Sequence, residues 1–157
     1  MVVIDNFLAD DLCKFLEDYY SYELPHYYGH RSSKESDPFY YHPIKPDALH
    51  NFIFSKVQGA VERDLKMHRA YLNVQHQHMK GSWHTDDGDL TILYMVTQTL
   101  DEGIGCFEIK DKEPKENISH EVDFVQNRLV WFDGSRSHRG NAPNTYHPRI
   151  TLAFKTT

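Results

Sequence analysis

Only two cysteines, Cys13 and Cys106, occur in the 157 residues, too few to staple a small secreted domain and without the spacing of a paired metal or redox motif. No apolar run approaches the roughly 20 residues that cross a bilayer, and Met1-Val2-Val3-Ile4-Asp5 lacks the basic stretch and apolar core of an export signal. Basic residues are outnumbered, 17 Lys and Arg against 23 Asp and Glu, giving a net charge of −6. That balance argues against broad attraction to a nucleic-acid backbone or an acidic membrane surface. Repeats and low-complexity tracts are missing too. These absences leave a soluble, reduced, cytoplasmic chain as the expectation, and the length suits one domain, 1–157.

What is present in quantity is aromatic and imidazole chemistry: 13% Phe, Trp and Tyr, and 11 histidines. That many histidines cannot all be ligands, so spacing has to separate functional from ordinary ones. Val2-Val3-Ile4 reads as a short opening strand. From Asp10 to Tyr20, Leu12, Phe15, Leu16 and Tyr19 share a helical face, with Asp10 as N-cap. Ser21 to Pro46 loses periodicity, and its aromatics (Tyr27-Tyr28-Gly29-His30 and Pro38-Phe39-Tyr40-Tyr41) either cover a site or close one end of the core. Pro46 suits the first turn of a second helix whose stripe runs Leu49, Phe52, Ile53, Val57, Ala60, Val61, Leu65. Strands then dominate: Ala70–His78, Trp83–Asp86, Leu90–Thr97, Cys106–Ile109, Glu121–Phe124, Arg128–Phe132 and Arg149–Phe154, separated by turns such as Asp87-Gly88 and Asp133-Gly134. Two helices followed by many short strands predict an α+β, mainly β domain: a jelly roll, or double-stranded β-helix, with its N-terminal helices packed on one sheet.

The chemistry concentrates in Trp83-His84-Thr85-Asp86-Asp87-Gly88. On a strand, residues two apart share a face, so His84 and Asp86 are able to reach one ion together while the rival carboxylate Asp87 turns away. His138, in Ser137-His138-Arg139-Gly140, supplies a third ligand from across the barrel. Two histidines and a carboxylate with open positions form the facial triad of non-haem Fe(II) oxygenases. His76-x-His78 is a second possible pair, without a third ligand. Arg149-Ile150-Thr151 follows the same rule of two: the apolar set Ile150, Leu152, Phe154 faces the helices, and Arg149 and Thr151 face into the barrel, where a guanidinium needs an anionic partner.

The order His-x-Asp, distant His, then Arg-x-Thr resembles the 2-oxoglutarate/Fe(II)-dependent dioxygenases, particularly the prolyl 4-hydroxylase-like branch. The likeness runs from Val3 to Lys155 and includes Ile92-Leu93-Tyr94-Met95-Val96 before an acidic turn, Asp101-Glu102-Gly103. It implies Fe(II) on His84, Asp86 and His138, with 2-oxoglutarate and O₂ as cosubstrates. The distal carboxylate of 2-oxoglutarate would lie on Arg149, supported by Thr151 and Tyr94. The implied reaction couples decarboxylation of 2-oxoglutarate, to succinate and CO₂, with hydroxylation of a peptide or protein substrate, a prolyl residue first, or of a small molecule. An intact Asp86 favours hydroxylation over halogenation. The chain departs from the family in the strand before the motif, where Tyr-x-x-Gly is replaced by Asn73-Val74-Gln75-His76-Gln77-His78, so Gln75 or Gln77 is left to do the tyrosine's work. Other readings stay open at this point: a nucleic-acid demethylase, for which Lys155 lies near the position of a second arginine; a non-enzymatic cupin-like barrel; and a zinc hydrolase, for which no separate general base is visible.

Overall fold

The computed structural model describes residues 1–110 and 117–157. Strand β1 (Val2–Ile4) leads into helix α1 (Asp10–Asp18), which widens into a turn of π-helix over Tyr19–Glu23. A hairpin of β2 (Tyr27–His30) and β3 (Phe39–Ile44) precedes helix α2 (Ala48–Val61). Then come β4 (Met67–Gln75), β5 (Leu90–Met95), β6 (Phe107–Lys110), β7 (Ile118–Val122), β8 (Arg128–Asp133), β9 (His138–Gly140) and β10 (Arg149–Thr156).

Among the described residues, seven strands form one sheet in the order β1-β8-β5-β10-β4-β3-β2, and three form a second, β7-β6-β9; all these pairings are antiparallel. The two sheets make the jelly roll, with both helices on the outer face of the larger one. Alternation along β10 sorts the layers. Ile150, Leu152 and Phe154 pack outward with Leu72, Val74, Ile92, Leu129 and the helix residues Leu16, Ile53 and Val57. Ala153 turns inward to join Leu93, Met95, Val130 and Phe132 against Phe107, Ile109 and Val122 of the smaller sheet. Each fully buried aliphatic side chain of this kind contributes roughly 1.5–3 kcal/mol, and both cores lean on β10. The apolar filling occupies one end of the space between the sheets; polar side chains line the other.

Local details differ from the sequence reading in instructive ways. Ala9, not Asp10, caps α1, and it does so without a side-chain bond; Asp10 and Asp11 sit in the first turn, where a carboxylate complements the helix dipole. The buried face of α1 and its π extension is Cys13, Leu16 and Tyr20, while Phe15 is 50% exposed and stacks on Tyr19. Pro46 lies before α2 rather than in it, and the cap is Asp47, whose carboxylate accepts from His50 N at 2.8 Å. The segment read as irregular contains the β2–β3 hairpin, which extends the large sheet at its edge. Trp83–Asp86 makes no ladder: His84 forms a single bridge with His138, and β9 is an unforeseen strand.

Candidate metal centre

His84 and His138 are held by a reciprocal backbone pair, His84 N to His138 O at 3.1 Å and His138 N to His84 O at 2.9 Å. Antiparallel pairing of this kind places both side chains on one side, and the ring centroids stand 4.3 Å apart. Asp86 N donates to Gly134 O at 2.9 Å, so the tail of the His-x-Asp segment is pinned to the loop after β8. Gly88 closes the following turn at φ +104°, against the Thr156 carbonyl, where a Cβ would come within 2.7 Å. One ligand atom from each of His84, Asp86 and His138 lies within 4.8 Å of the others.

The hydrogen bonds fix the chemistry of the rings. His84 Nδ1 lies 2.9 Å from Ser82 O and His138 Nδ1 lies 2.8 Å from Arg136 O. A carbonyl only accepts, so each Nδ1 carries a proton and each Nε2 is turned toward Asp86: 3.8 Å from His84 to Oδ1, and 3.1 Å from His138 to Oδ2. Burial, with help from the charge of His138, pushes His84 down to about 4, so its ring is neutral and presents a lone pair to a carboxylate. Asp86 itself is raised by burial, but the His138 hydrogen bond and the charge of Lys155 outweigh that and hold it well below the usual carboxylate range. Lone pair facing carboxylate is a repulsive arrangement that a cation between them relieves, so this donor set fits a divalent metal.

Asp86 Oδ2 also accepts from Thr91 Oγ1 at 2.5 Å and from the Lys155 ammonium. Beyond the triad the pocket runs along the inward face of β4 and β10, past Tyr71, Asn73, Gln75, Thr151 and Arg149. Arg149 is 2% exposed. It donates from Nε to Gly105 O at 2.7 Å and from Nη1 to Gln75 Oε1 at 2.8 Å, with Phe124 under the guanidinium at 5.0 Å. Gly140 makes room for it, since a Cβ there would lie 3.2 Å from both Arg149 Nη1 and Gln75 Oε1. No carboxylate among the described residues pairs with Arg149, and burial lowers it to about 10. A buried guanidinium held only by neutral acceptors is built to receive an anion.

Of the residues expected at the site, His84, Asp86, His138, Arg149 and Thr151 line this one pocket. Tyr94 does not. The inward positions of β5 are Thr91, Leu93 and Met95, so Tyr94 alternates to the helix side, where it packs edge-on against Phe7 and donates to Asn127 Oδ1 at 3.2 Å. Of the two glutamines considered, Gln75 lines the pocket and accepts from Arg149, whereas Gln77 is directed away and donates to Asn144 O. Asp87 lies at the exposed rim of the pocket, engaged by Arg69 at 2.6 Å. His76 packs on Tyr40, and neither it nor His78 joins a metal-holding group among the described residues. The other cluster of possible donors among the described residues, Cys106, Glu108 and Glu121, is committed elsewhere: Arg139 and Asn141 hold Glu108. Sequence reasoning did not foresee Thr91, Tyr71 and Asn73 at the site, and it named Lys155 only as lying near the position of a second arginine. Asn73 Oδ1 is buried there without a hydrogen-bond partner among the described residues.

No family model and no curated protein matches the chain. Solved structures do. A prolyl hydroxylase from Trichoplax adhaerens, in complex with a hypoxia inducible factor oxygen degradation domain peptide fragment, superposes with a TM-score of 0.77 at 13% identity, over 99% of this chain and 82% of that one. The viral collagen prolyl hydroxylase of Paramecium Bursaria Chlorella virus-1, a 2-oxoglutarate complex, gives 0.69 at 14% identity over 99% and 94%. HygX from Streptomyces hygroscopicus, with nickel, 2-oxoglutarate and hygromycin B bound, gives 0.77 at 10% identity over 99% and 81%. The fold is that of the 2-oxoglutarate/Fe(II) oxygenases. At such identities the similarity is one of architecture; in this chain the pocket holds the His84–Asp86–His138 cluster at one end and the buried Arg149 farther in. No helix among the described residues is long and apolar enough to cross a membrane.

Proposed function

We propose that the chain is a non-haem Fe(II) dioxygenase that couples oxidative decarboxylation of 2-oxoglutarate to hydroxylation of a substrate. The observation that carries this reading is the pairing, in one pocket, of a convergent His84–Asp86–His138 donor set with a buried Arg149 that has no carboxylate partner among the described residues. Each half alone has an ordinary explanation; a structural cluster or a core arginine would suffice. Together they match a metal and an anionic cosubstrate that chelates it.

In this reading His84, Asp86 and His138 hold the iron through two Nε2 atoms and one carboxylate oxygen. The backbone carbonyls of Ser82 and Arg136 fix the tautomers and ring orientations. Arg149 binds the distal carboxylate of 2-oxoglutarate, Thr151 supports it, and Gln75 holds the guanidinium in place from the other side. Bound iron and 2-oxoglutarate supply the O₂ activation and the oxidant, and the protein supplies orientation and exclusion of water. Phe39, His30 and Tyr71 form the wall on the hairpin side. The substrate put first is a prolyl residue in a peptide. The sequence resemblance favours it, as does the aromatic hairpin with its exposed Tyr27 and Tyr28.

The test is uncoupled turnover. Anaerobic Fe(II) and 2-oxoglutarate should give a weak visible charge-transfer band, and admission of O₂ should yield succinate; His84→Ala should lose both while the chain stays folded. Succinate formation at the wild-type rate by His84→Ala would remove the triad from the reaction, and no succinate from the wild-type chain would return the non-enzymatic barrel to first place.

A further inference from the structure

Lys155 shares the inward face of β10 with Arg149 and Thr151, yet it sits at the metal end of the pocket rather than the cosubstrate end. It is 2% exposed. Its ammonium donates to Asp86 Oδ2 and lies 3.3 Å from Thr91 Oγ1, with the centre of the Tyr71 ring 5.8 Å away. The carboxylate of Asp87 is engaged by Arg69 at the rim, so Asp86 is the group that compensates Lys155 among the described residues. Once such a pair is buried, either partner left alone is an uncompensated charge, which keeps the two together.

We infer that Lys155 is a built-in counter-ion of Asp86 that competes with a divalent metal for that carboxylate, stabilising the metal-free fold and weakening metal binding. The inference rests on the reading of His84, Asp86 and His138 as metal ligands. Its basis is the sign of the charges. An ammonium and a divalent cation sharing one carboxylate repel each other across a few ångströms, in a pocket where screening is weaker than in water. Asp86 therefore gives each cation less than it would give either one alone. The consequence is a site that is ordered before metal arrives and that holds metal less tightly than its three donors would by themselves. A lysine with a merely structural role behaves differently: its removal loosens Asp86, so stability and metal affinity fall together. The two roles predict opposite signs for the affinity.

Mn(II) titrated by calorimetry into the full chain, without cosubstrate, reads that sign; thermal unfolding with and without Mn(II) reads the stability. The chains to compare are wild type, Lys155→Met, Lys155→Gln and Lys155→Arg. Gln keeps a hydrogen-bond donor for Oδ2 but removes the charge, and it carries the comparison if Met does not fold without metal. Both neutral variants should bind one Mn(II) roughly tenfold tighter or more, melt lower when metal-free, and gain more from Mn(II) than wild type does; Arg should stay near wild type. Neutral variants that bind Mn(II) no more tightly than wild type overturn the competition, while wild-type binding lost in His84→Ala keeps the metal site itself standing. Absence of any His84-dependent Mn(II) binding in wild type and in the neutral variants alike overturns both.

Discussion

The guanidinium of Arg149 is the residue on which the cosubstrate assignment stands, and its surroundings make the assignment testable apart from the metal. It keeps neutral partners at Gly105 O and Gln75 Oε1, so removal of the side chain leaves no carboxylate of the described residues unpaired, and the loss should fall on the ligand. Arg149→Ala should weaken 2-oxoglutarate binding to the Mn(II)-loaded chain by roughly 2–5 kcal/mol, and Arg149→Lys by less, since the charge survives and the fork is lost. Mn(II) affinity measured without 2-oxoglutarate should barely move. Equal 2-oxoglutarate affinity in a folded Arg149→Ala chain would discard the assignment. Residues like this one were legible in the sequence because Arg149 and Thr151 are polar and Ile150 and Leu152 are not, so alternation set their phase. Tyr94 was misplaced for the opposite reason. Every residue of β5 from Leu90 to Met95 is buried, and a strand covered on both faces carries no polarity by which to choose a side. Lys155 stood out only for lying near the position of a second arginine, and its contact with Asp86 was not foreseen, because a lysine at a strand end normally marks emergence into water and only the fold shows that β10 stays buried to Thr156.

At the scale of elements, the His-x-Asp segment was read correctly in direction and wrongly in kind. It makes a single bridge to β9, and the convergence of His84, Asp86 and His138 comes from that bridge and from Gly134 rather than from a regular strand. The β2–β3 hairpin was invisible as structure because its rings occupy both faces: Tyr28 packs with Tyr40 while Tyr27 packs with Tyr41, which erases the alternation by which strands are recognised. The expectation left open whether these rings cover a site or close the core; His30 and Phe39 line the pocket. Ser33 Oγ lies 2.5 Å from Ser82 Oγ, and Ser32 Oγ accepts from Ser82 N at 3.2 Å, which ties the hairpin's connecting loop to the residues just before His84. Metal capture by His84 should therefore steady that loop. Hydrogen exchange over residues 30–36 should slow when Mn(II) and 2-oxoglutarate are added, along with that of 82–91. Protection confined to 82–91 would show the hairpin to be a fixed wall uncoupled from the site.

For the molecule as a whole, the layering followed from the alternation of apolar residues, and the oxygenase architecture is shared with proteins 10–14% identical; a global property that the folded chain adds is its response to acid. Burial depresses His84 from an ordinary 6.5 to about 4 and lowers His30 and His76 as well. For a histidine depressed on folding, the unfolded chain binds more protons between the two values, so stability falls as pH drops through that window. His84 alone contributes about 3 kcal/mol to this fall at full protonation. The carboxylates act lower down. The hydrogen bonds and charges around Asp86, Asp47, Asp5 and Glu108 hold them below their ordinary values, so the stability they give is intact above those values and is lost as pH falls beneath them. Acid should thus destabilise the metal-free chain in two stages, the first between pH 6.5 and 4 and the second below about 4.5. Urea midpoints taken from pH 7.5 down to 3.5 should decline throughout, and His84→Asn should flatten the upper stage. A midpoint level from pH 7 to 5 in the wild-type chain would mean that His84 is as free to protonate in the fold as in the unfolded chain. Its lone pair would then not be held ready for a metal.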